Sequence, residues 1–183
     1  MYQIRRGNIH DAKSIAEVHV SSWKDTYKDL INEQDMSNST VENRTILWET
    51  ILKMPKEQQP VMVVEENRKI VGFISGGKER TERFGYDGEI FAIYLLPTHQ
   101  RKGLGALLLK AFSNEMKRLG YHSLLIWVLT NNPTHQFYLK LGAKKIEQEQ
   151  TTIGYGTYQE TAYGFKDITQ LIHQLDQLEK EGL

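Results

Sequence analysis

The stretch Gln100-Arg101-Lys102-Gly103-Leu104-Gly105 limits the fold of this chain more than any other. It follows an apolar, strand-like run from Ile90 to Leu96. It opens an amphipathic run with Leu104, Leu107, Leu108, Ala111, Phe112, Met116 and Leu119 at helical spacing. A buried strand must therefore turn into a helix through glycines. The first N–H groups of such a helix lack intrahelical partners, and the helix dipole adds partial positive charge there. Gly103 and Gly105 let the backbone close on a ligand that a Cβ would push away. Arg101 and Lys102 add charge at the lip. The result is a cradle for an anion such as a phosphate or pyrophosphate.

The rest of the chain supplies the frame. Tyr2 to Arg5 reads as a strand, and Asn8 as the N-cap of a helix with Ile9, Ala12, Ile15, Ala16, Val18 and His19 on its apolar side. After the aromatic segment Trp23 to Tyr27, a second helix carries Val41, Ile46, Leu47, Ile51 and Leu52 roughly in phase. Pro60 to Glu65 and Ile70 to Gly76 are strands joined by the turn Glu66 to Lys69, and Gly77 to Gly88 is a loop. Gly120 stops the cradle helix. Leu124 to Leu129 is a strand apolar on both faces. A short helix follows Asn131-Asn132-Pro133 and ends at Gly142. Two alternating strands, Ala143 to Thr152 and Tyr158 to Phe165, flank the hairpin Gly154-Tyr155-Gly156. Ile168, Leu171, Ile172, Leu175 and Leu178 mark a last amphipathic helix. No repeat or linker divides the chain, so the expected class is α/β with a mixed sheet: one domain over 1–165, and a helical segment over 166–183 packed on it or at an interface.

At 183 residues the chain suits one well-cored domain. Acidic and basic side chains balance at 23 each, so no whole-protein field gathers nucleic acid or an anionic membrane. The amino terminus turns polar at once, and no apolar run approaches a membrane span. There is no cysteine, which excludes disulfides, a thiol nucleophile and thiolate metal sites and fits a cytoplasmic protein. The six histidines have no metal-ligand spacing, so no metal is expected.

The cradle does not have the G-x-x-x-x-G-K-[ST] form of a P-loop. A dinucleotide fingerprint would need Gly or Ala where Leu108 stands, and an acidic residue ending the next strand. The stretch instead resembles the Q/R-x-x-G-x-G/A signature of the GNAT family of N-acetyltransferases. The resemblance extends over roughly Ile4 to Phe165, in the order strand, two helices, three strands, cradle helix, strand, short helix, two strands. It implies the GNAT acyl-CoA N-acyltransferase fold, a mostly antiparallel central sheet with flanking helices.

The resemblance also implies roles for residues. Amides from Arg101 through Lys102, Gly103, Leu104 and Gly105 to Ala106 would hold the pyrophosphate of acetyl-CoA. Ile93, Tyr94 and Leu95 lie on a strand that in the family carries a bulge and splays from its neighbour, so that its backbone pairs with the pantetheine arm. Asn131, Tyr138 and Gly142 match the family's N-x6-Y and following glycine. Asn131 would then bind the cosubstrate, and Tyr138 would stand near the thioester sulfur. A thiol leaves with a pKa near 8.5, so a placed phenol can protonate it. Glu89, at the start of the cradle strand, is the expected general base, with Asp87, Asp25 and Glu82 as loop alternatives. An alkylamine of pKa about 10.4 is largely protonated at neutral pH and needs one. Trp23, Asp25, Tyr27 and Tyr155 fall where the family builds its acceptor pocket, the first three in the link between the first two helices. His19 and His135 read as structural.

The function so implied is N-acetyl transfer from acetyl-CoA to a primary amine of a small molecule or peptide. The alternatives are a non-catalytic acyl-CoA-binding regulatory module on the same fold, or a protein N-terminal or lysine acetyltransferase. Expected partners are acetyl-CoA and an amine, with neither nucleic acid nor membrane; the apolar tail helix leaves room for a homodimer.

Overall fold

Strand and helix signals alternate along the chain, and a computed structural model describes residues 1–182. Leu183, the end of the expected tail segment, lies outside the described residues. Seven strands form one sheet among the described residues: Tyr2–Arg6 (β1), Val61–Glu66 (β2), Lys69–Lys78 (β3), Gly88–Leu95 (β4), Leu124–Leu129 (β5), Lys144–Ile153 (β6) and Gly156–Phe165 (β7). Their order is β1-β2-β3-β4-β5-β7-β6. Every neighbouring pair is antiparallel except β4 and β5. The helices are Ala12–Tyr27 (α1), Glu33–Met36 (α2), Val41–Lys53 (α3), Leu104–Arg118 (α4), His135–Lys140 (α5) and Ile168–Lys180 (α6).

Two local readings are corrected. Asn8 caps a 3-10 turn, Ile9–Asp11, through a capping box with Asp11, and that turn runs straight into α1. The segment Trp23 to Tyr27 is not a link. With no Gly or Pro to stop it, α1 continues through it, and Trp23 packs edge-on against Tyr27 one turn away, centroids 5.1 Å apart. The link that follows contains α2, which has no apolar period of its own to announce it.

The sheet is buried on both faces. On one, Leu104, Leu108, Leu109, Phe112 and Met116 of α4 pack with Ile74, Ile90, Leu124 and Ile126. Ile168, Leu171 and Leu175 carry α6 into the same cluster, and Lys110 pairs with Asp176 at 2.7 Å and Glu179 at 2.5 Å. On the other face, Ile15, Ala16, Val18 and Trp48 of α1 and α3 cover Val61, Val63 and Phe73. Each such side chain contributes about 1.5–3 kcal/mol by leaving water. His19 sits in this second layer, its Nδ1 accepting from Trp48 Nε1 at 3.1 Å and its ring stacked on Tyr94. No described helix is long and apolar enough to cross a membrane.

The parallel join between β4 and β5 is short. Gly88, Glu89 and Ile90 pair with Leu124, Leu125 and Ile126, and pairing stops there. On the other side of β4, Ser75 pairs with Ala92 and Gly76 with Ile90, which leaves Phe91 as an extra, bulged residue. A bulge bends its strand and increases the twist. Beyond Ile90, β4 therefore leaves β5, and a gap opens between Ile93-Tyr94-Leu95 and Trp127-Val128-Leu129.

Candidate active site

The gap is bounded below by the cradle. After a 3-10 turn at Pro97–His99, Arg101 takes φ 61° and Gly103 φ 77°, and α4 begins at Leu104. Left-handed backbone at two of three residues turns the amides inward. Among the described residues, no acceptor meets the amides of Arg101, Lys102, Gly103, Leu104, Gly105 or Ala106; the first bonded amide is that of Leu107, to the Gly103 carbonyl at 3.2 Å. Gln100 ties the turn to β4 by donating from Nε2 to the Leu95 carbonyl at 3.2 Å. A Cβ on Gly105 would touch only Leu95 Cδ1, at 3.8 Å. Nothing inside the protein requires glycine there, so the space it leaves faces outward, over the amides. Arg101 and Lys102 are exposed at the rim.

The Leu96 N–H donates to the Val71 carbonyl at 2.9 Å. By the alternation of an antiparallel pair, Tyr94 also turns its backbone to β3, while Ile93 and Leu95 turn theirs to the gap. Ser22 of α1, fully buried, donates its hydroxyl to the Leu95 carbonyl at 2.8 Å and fixes the helix to this edge.

Tyr138 reaches the gap from α5 on the α4 side and is 1% exposed. Its ring packs edge-on against Phe137 and Phe165. Burial raises its phenol pKa, and the nearby Tyr27 adds to the rise. Tyr27 comes from α1 on the opposite side, with its hydroxyl 3.3 Å from that of Tyr94. Burial raises Tyr27 as well, while Tyr94 and Asn132 act as hydrogen-bond partners that lower it. Three phenols thus converge at the gap, all held protonated at neutral pH.

Of the two adjacent asparagines, Asn131 is exposed and Asn132 is 5% exposed. Asn132 Oδ1 accepts from the Thr134 amide at 3.0 Å and hydroxyl at 2.6 Å, which sets the start of α5. Sequence spacing pointed to Asn131; the buried neighbour is the one beside Tyr27.

Glu89 lies before the gap, on the paired β4–β5 join where it faces Leu125 in register, and it is closed off. It is 1% exposed, and Arg80 occupies both its oxygens: Nη2 at 2.6 Å and Nε at 3.2 Å to Oε1, the backbone amide at 3.1 Å to Oε2. The Arg80 guanidinium in turn lies 4.6 Å from the Phe91 ring centre. Of the loop alternatives, Asp87 is bonded to the His122 and Ser123 amides and Glu82 pairs with Lys78. Asp25 pairs with Lys28 at 3.5 Å.

On the expected pocket wall, Trp23 and Tyr27 pack with Ile31, Met36, Leu129 and Tyr158. Tyr155 does not join them. It is 93% exposed at the hairpin tip. The tip is clasped instead by Asp35 of α2, which accepts from the Tyr155 amide at 2.8 Å and the Tyr158 hydroxyl at 2.5 Å. A Cβ on Gly154 or Gly156 would come within 2.5 and 2.3 Å of Asp35 atoms, so both glycines are required by this approach.

One residue the sequence reading passed over stands at the same level. Glu160 of β7 pairs in register with Leu129, on the face shared with Tyr158 and Ala162. Its carboxylate has no hydrogen-bond or ion-pair partner among the described residues. Burial raises its pKa, Arg80 opposes the rise, and Glu149 and Glu89 add to it. The signal was the alternation Tyr158, Glu160, Ala162: an acidic residue on the inward side of a strand.

A bulged strand leaving its parallel neighbour, unpartnered amides at the next helix start and a buried phenol across the gap are the parts of an acyl-transfer site. Residues 22–143 match the acetyltransferase (GNAT) family. Over 172 residues the chain is 30% identical to an uncharacterised N-acetyltransferase of Bacillus subtilis, YuaI, covering 93% of this chain and 96% of that protein. A shorter match of 74 residues, 38% identical, covers 40% of the chain and 43% of the L-methionine sulfoximine/L-methionine sulfone acetyltransferase of Salmonella typhimurium. In fold, the chain is similar to the yncA acetyltransferase of Salmonella typhimurium, solved with acetyl-CoA, with a TM-score of 0.69, 24% identity, and coverage of 91% of this chain and 94% of that one. The chain belongs to the GNAT family of acetyltransferases. No group of side chains suited to hold a metal ion occurs among the described residues.

Proposed function

We propose that the protein transfers the acetyl group of acetyl-CoA to the primary amine of a small molecule. The observation that carries this reading is the run of six amides without partners, opening onto a gap whose far side holds Tyr138. The cradle fits a pyrophosphate in charge and shape: positive helix end, unpaired donors, and at Gly105 a space that a Cβ would fill. Amides from Arg101 to Ala106 bind it, with Lys102 and Arg101 as rim charges. The backbone groups of Ile93 and the N–H of Leu95 are placed to pair with the pantetheine arm as a further strand would, the Leu95 carbonyl being taken by Ser22 and Gln100.

When bound, acetyl-CoA supplies an activated thioester. The protein's part is to orient it, exclude water and move protons. Tyr138, fully protonated in its buried site, donates to the departing sulfur. Asn132 lies beside Tyr27, and Asn131, exposed, is left to the outer part of the cosubstrate. Trp23, Tyr27 and Tyr158 offer aromatic walls to a cationic amine. The Asp35 clasp fixes the β6–β7 hairpin beside this wall, and a fixed wall on that side favours a small acceptor over a peptide chain. The relative that acts on L-methionine sulfoximine and sulfone makes amino-acid-like amines the first compounds to try.

The test is free-thiol release from acetyl-CoA across amino acids and their sulfone and sulfoximine analogues, polyamines, aminoglycosides, arylamines and peptides. Without cysteine the protein adds no thiol background. Turnover with a small amine is expected. Tight acetyl-CoA binding with silence across the panel would point to a regulatory module, and absence of binding would sink the cradle argument.

A further inference from the structure

We propose that Glu160, rather than Glu89, accepts the proton of the acceptor amine, and that Glu89 and Arg80 act as a positioning pair. This inference rests on the transferase reading given above.

A general base needs an oxygen that the amine can reach. Glu89 has none to spare. Its carboxylate is sealed from solvent, and Arg80 covers both oxygens with side-chain and backbone donors. Reaching it would mean displacing the exposed Arg80 guanidinium from a carboxylate that is itself buried, which would leave that charge without its partner. Glu160 is partly buried and has free oxygens. It sits where the gap is open: in register with Leu129, two positions past the Trp127 pairing with Ala162, on the face that carries Trp23, Tyr27 and Tyr158.

The groups around it serve the same end. Tyr27 faces it from α1, and the phenol feels its charge. Arg80 and Glu89 face it from the β3–β4 loop and β4, and Glu149 lies directly across the β6–β7 pairing. Glu149 is itself engaged by Arg83 at 2.7 Å. Burial in this setting leaves Glu160 more basic than a solvent-exposed glutamate. That is the direction a base working near neutral pH requires.

The protons balance as follows. The bound ammonium loses one proton to the Glu160 carboxylate and becomes a neutral amine. Its nitrogen forms the new N–C bond as the C–S bond breaks. A second proton leaves the nitrogen as the sulfur takes one from Tyr138, which is reprotonated in turn, and the third stays on the amide. Glu160 then returns its proton to solvent.

The experiment compares wild type with Glu160→Gln, Glu160→Asp and Glu89→Gln, using the best amine of the panel and a weakly basic arylamine, across pH 5.5–9. Calorimetry with acetyl-CoA and thermal unfolding report cosubstrate binding and fold. Glu160→Gln should lower kcat by about 10²–10⁴ and remove the acidic limb of the pH profile. Acetyl-CoA affinity should stay within about twofold, well under the 1.4 kcal/mol that a tenfold change represents. For the arylamine, neutral at assay pH, the loss should shrink by at least about tenfold, because no ground-state proton has to be removed. Glu160→Asp should keep the acidic limb at reduced rate. Glu89→Gln should cost less than about tenfold and leave the limb in place, below the general-base range.

A second readout needs no acceptor. In carboxyl-labelled protein, one glutamate should titrate above the ordinary range, and that signal should vanish in Glu160→Gln. The proposal is overturned if Glu160→Gln costs less than about threefold, if Glu89→Gln removes the limb, or if no such carboxyl signal exists. A silent panel with the signal present would tell against the acceptor reading and not against the protonation behaviour of Glu160.

Discussion

At the scale of single residues, chemistry here depends on which polar groups are already satisfied. Tyr138 has a protonated phenol beside the gap and packs in the α4-side core, with Phe137 and Phe165 edge-on to its ring. Tyr138→Phe should lower turnover by about 10–10³, within the reach of lost acid catalysis, while acetyl-CoA affinity measured by calorimetry changes little. A large loss of affinity would make Tyr138 a binding residue. The spacing from Asn131 pointed to Tyr138, and the structure buries that side chain. The neighbouring asparagine was harder, because Asn131 and Asn132 differ by one position in a turn, and only the turn geometry decides which side chain is buried. Glu89 was legible by position and Arg80 was not. The pairing that closes Glu89 joins residues nine apart across an irregular loop, where no periodicity applies.

At the scale of elements, the cradle carries the most information. Its sequence sets both the strand-to-helix turn and the free amides. Gly105 is half-buried, and a Cβ there would meet only Leu95 Cδ1, at 3.8 Å, so the fold does not require glycine. Gly105→Val should therefore leave stability within about 1 kcal/mol, the size of a helix-propensity change. It should weaken acetyl-CoA binding by at least about tenfold, or about 1.4 kcal/mol. Thermal unfolding and calorimetry on the same sample separate the two effects. The strands were legible because alternation and apolar runs have a fixed period, and β5 falls where its six apolar residues stand. The aromatic end of α1 was not. Trp23 and Tyr27 suit a helix as well as a pocket wall, and the structure places them on α1, packed with Ile31, Met36 and Leu129. The short α2 was invisible for another reason: four residues held by Asp35 against a distant hairpin have no local pattern.

At the scale of the whole molecule, titration and topology set the response to conditions. Burial holds the His19 imidazole down to about 3, with the charge of Arg44 adding to the effect. A histidine buried neutral contributes its stability in full above its unfolded pKa of about 6.5. That contribution falls as pH drops from about 6.5 towards 3, by up to about 1.4 kcal/mol per unit. Urea unfolding between pH 7.5 and 4.5 should record the decline. His19→Gln, which keeps an acceptor for Trp48 but does not titrate, should flatten that part of the curve. Overall topology was legible from element order. The length of the β4–β5 join was not legible from residue types alone, since Ile93 and Val128 are as strand-like as the residues that do pair. That join makes the sheet two leaves, of four strands and three, bound along a spine of three rungs. The width of the slit between the leaves is then set where those rungs end and by α1, which bonds Leu95 through Ser22 and packs Tyr27 on Leu129. A change at Ile90 or Ile126, the last rung before the strands part, would act as a change of aperture.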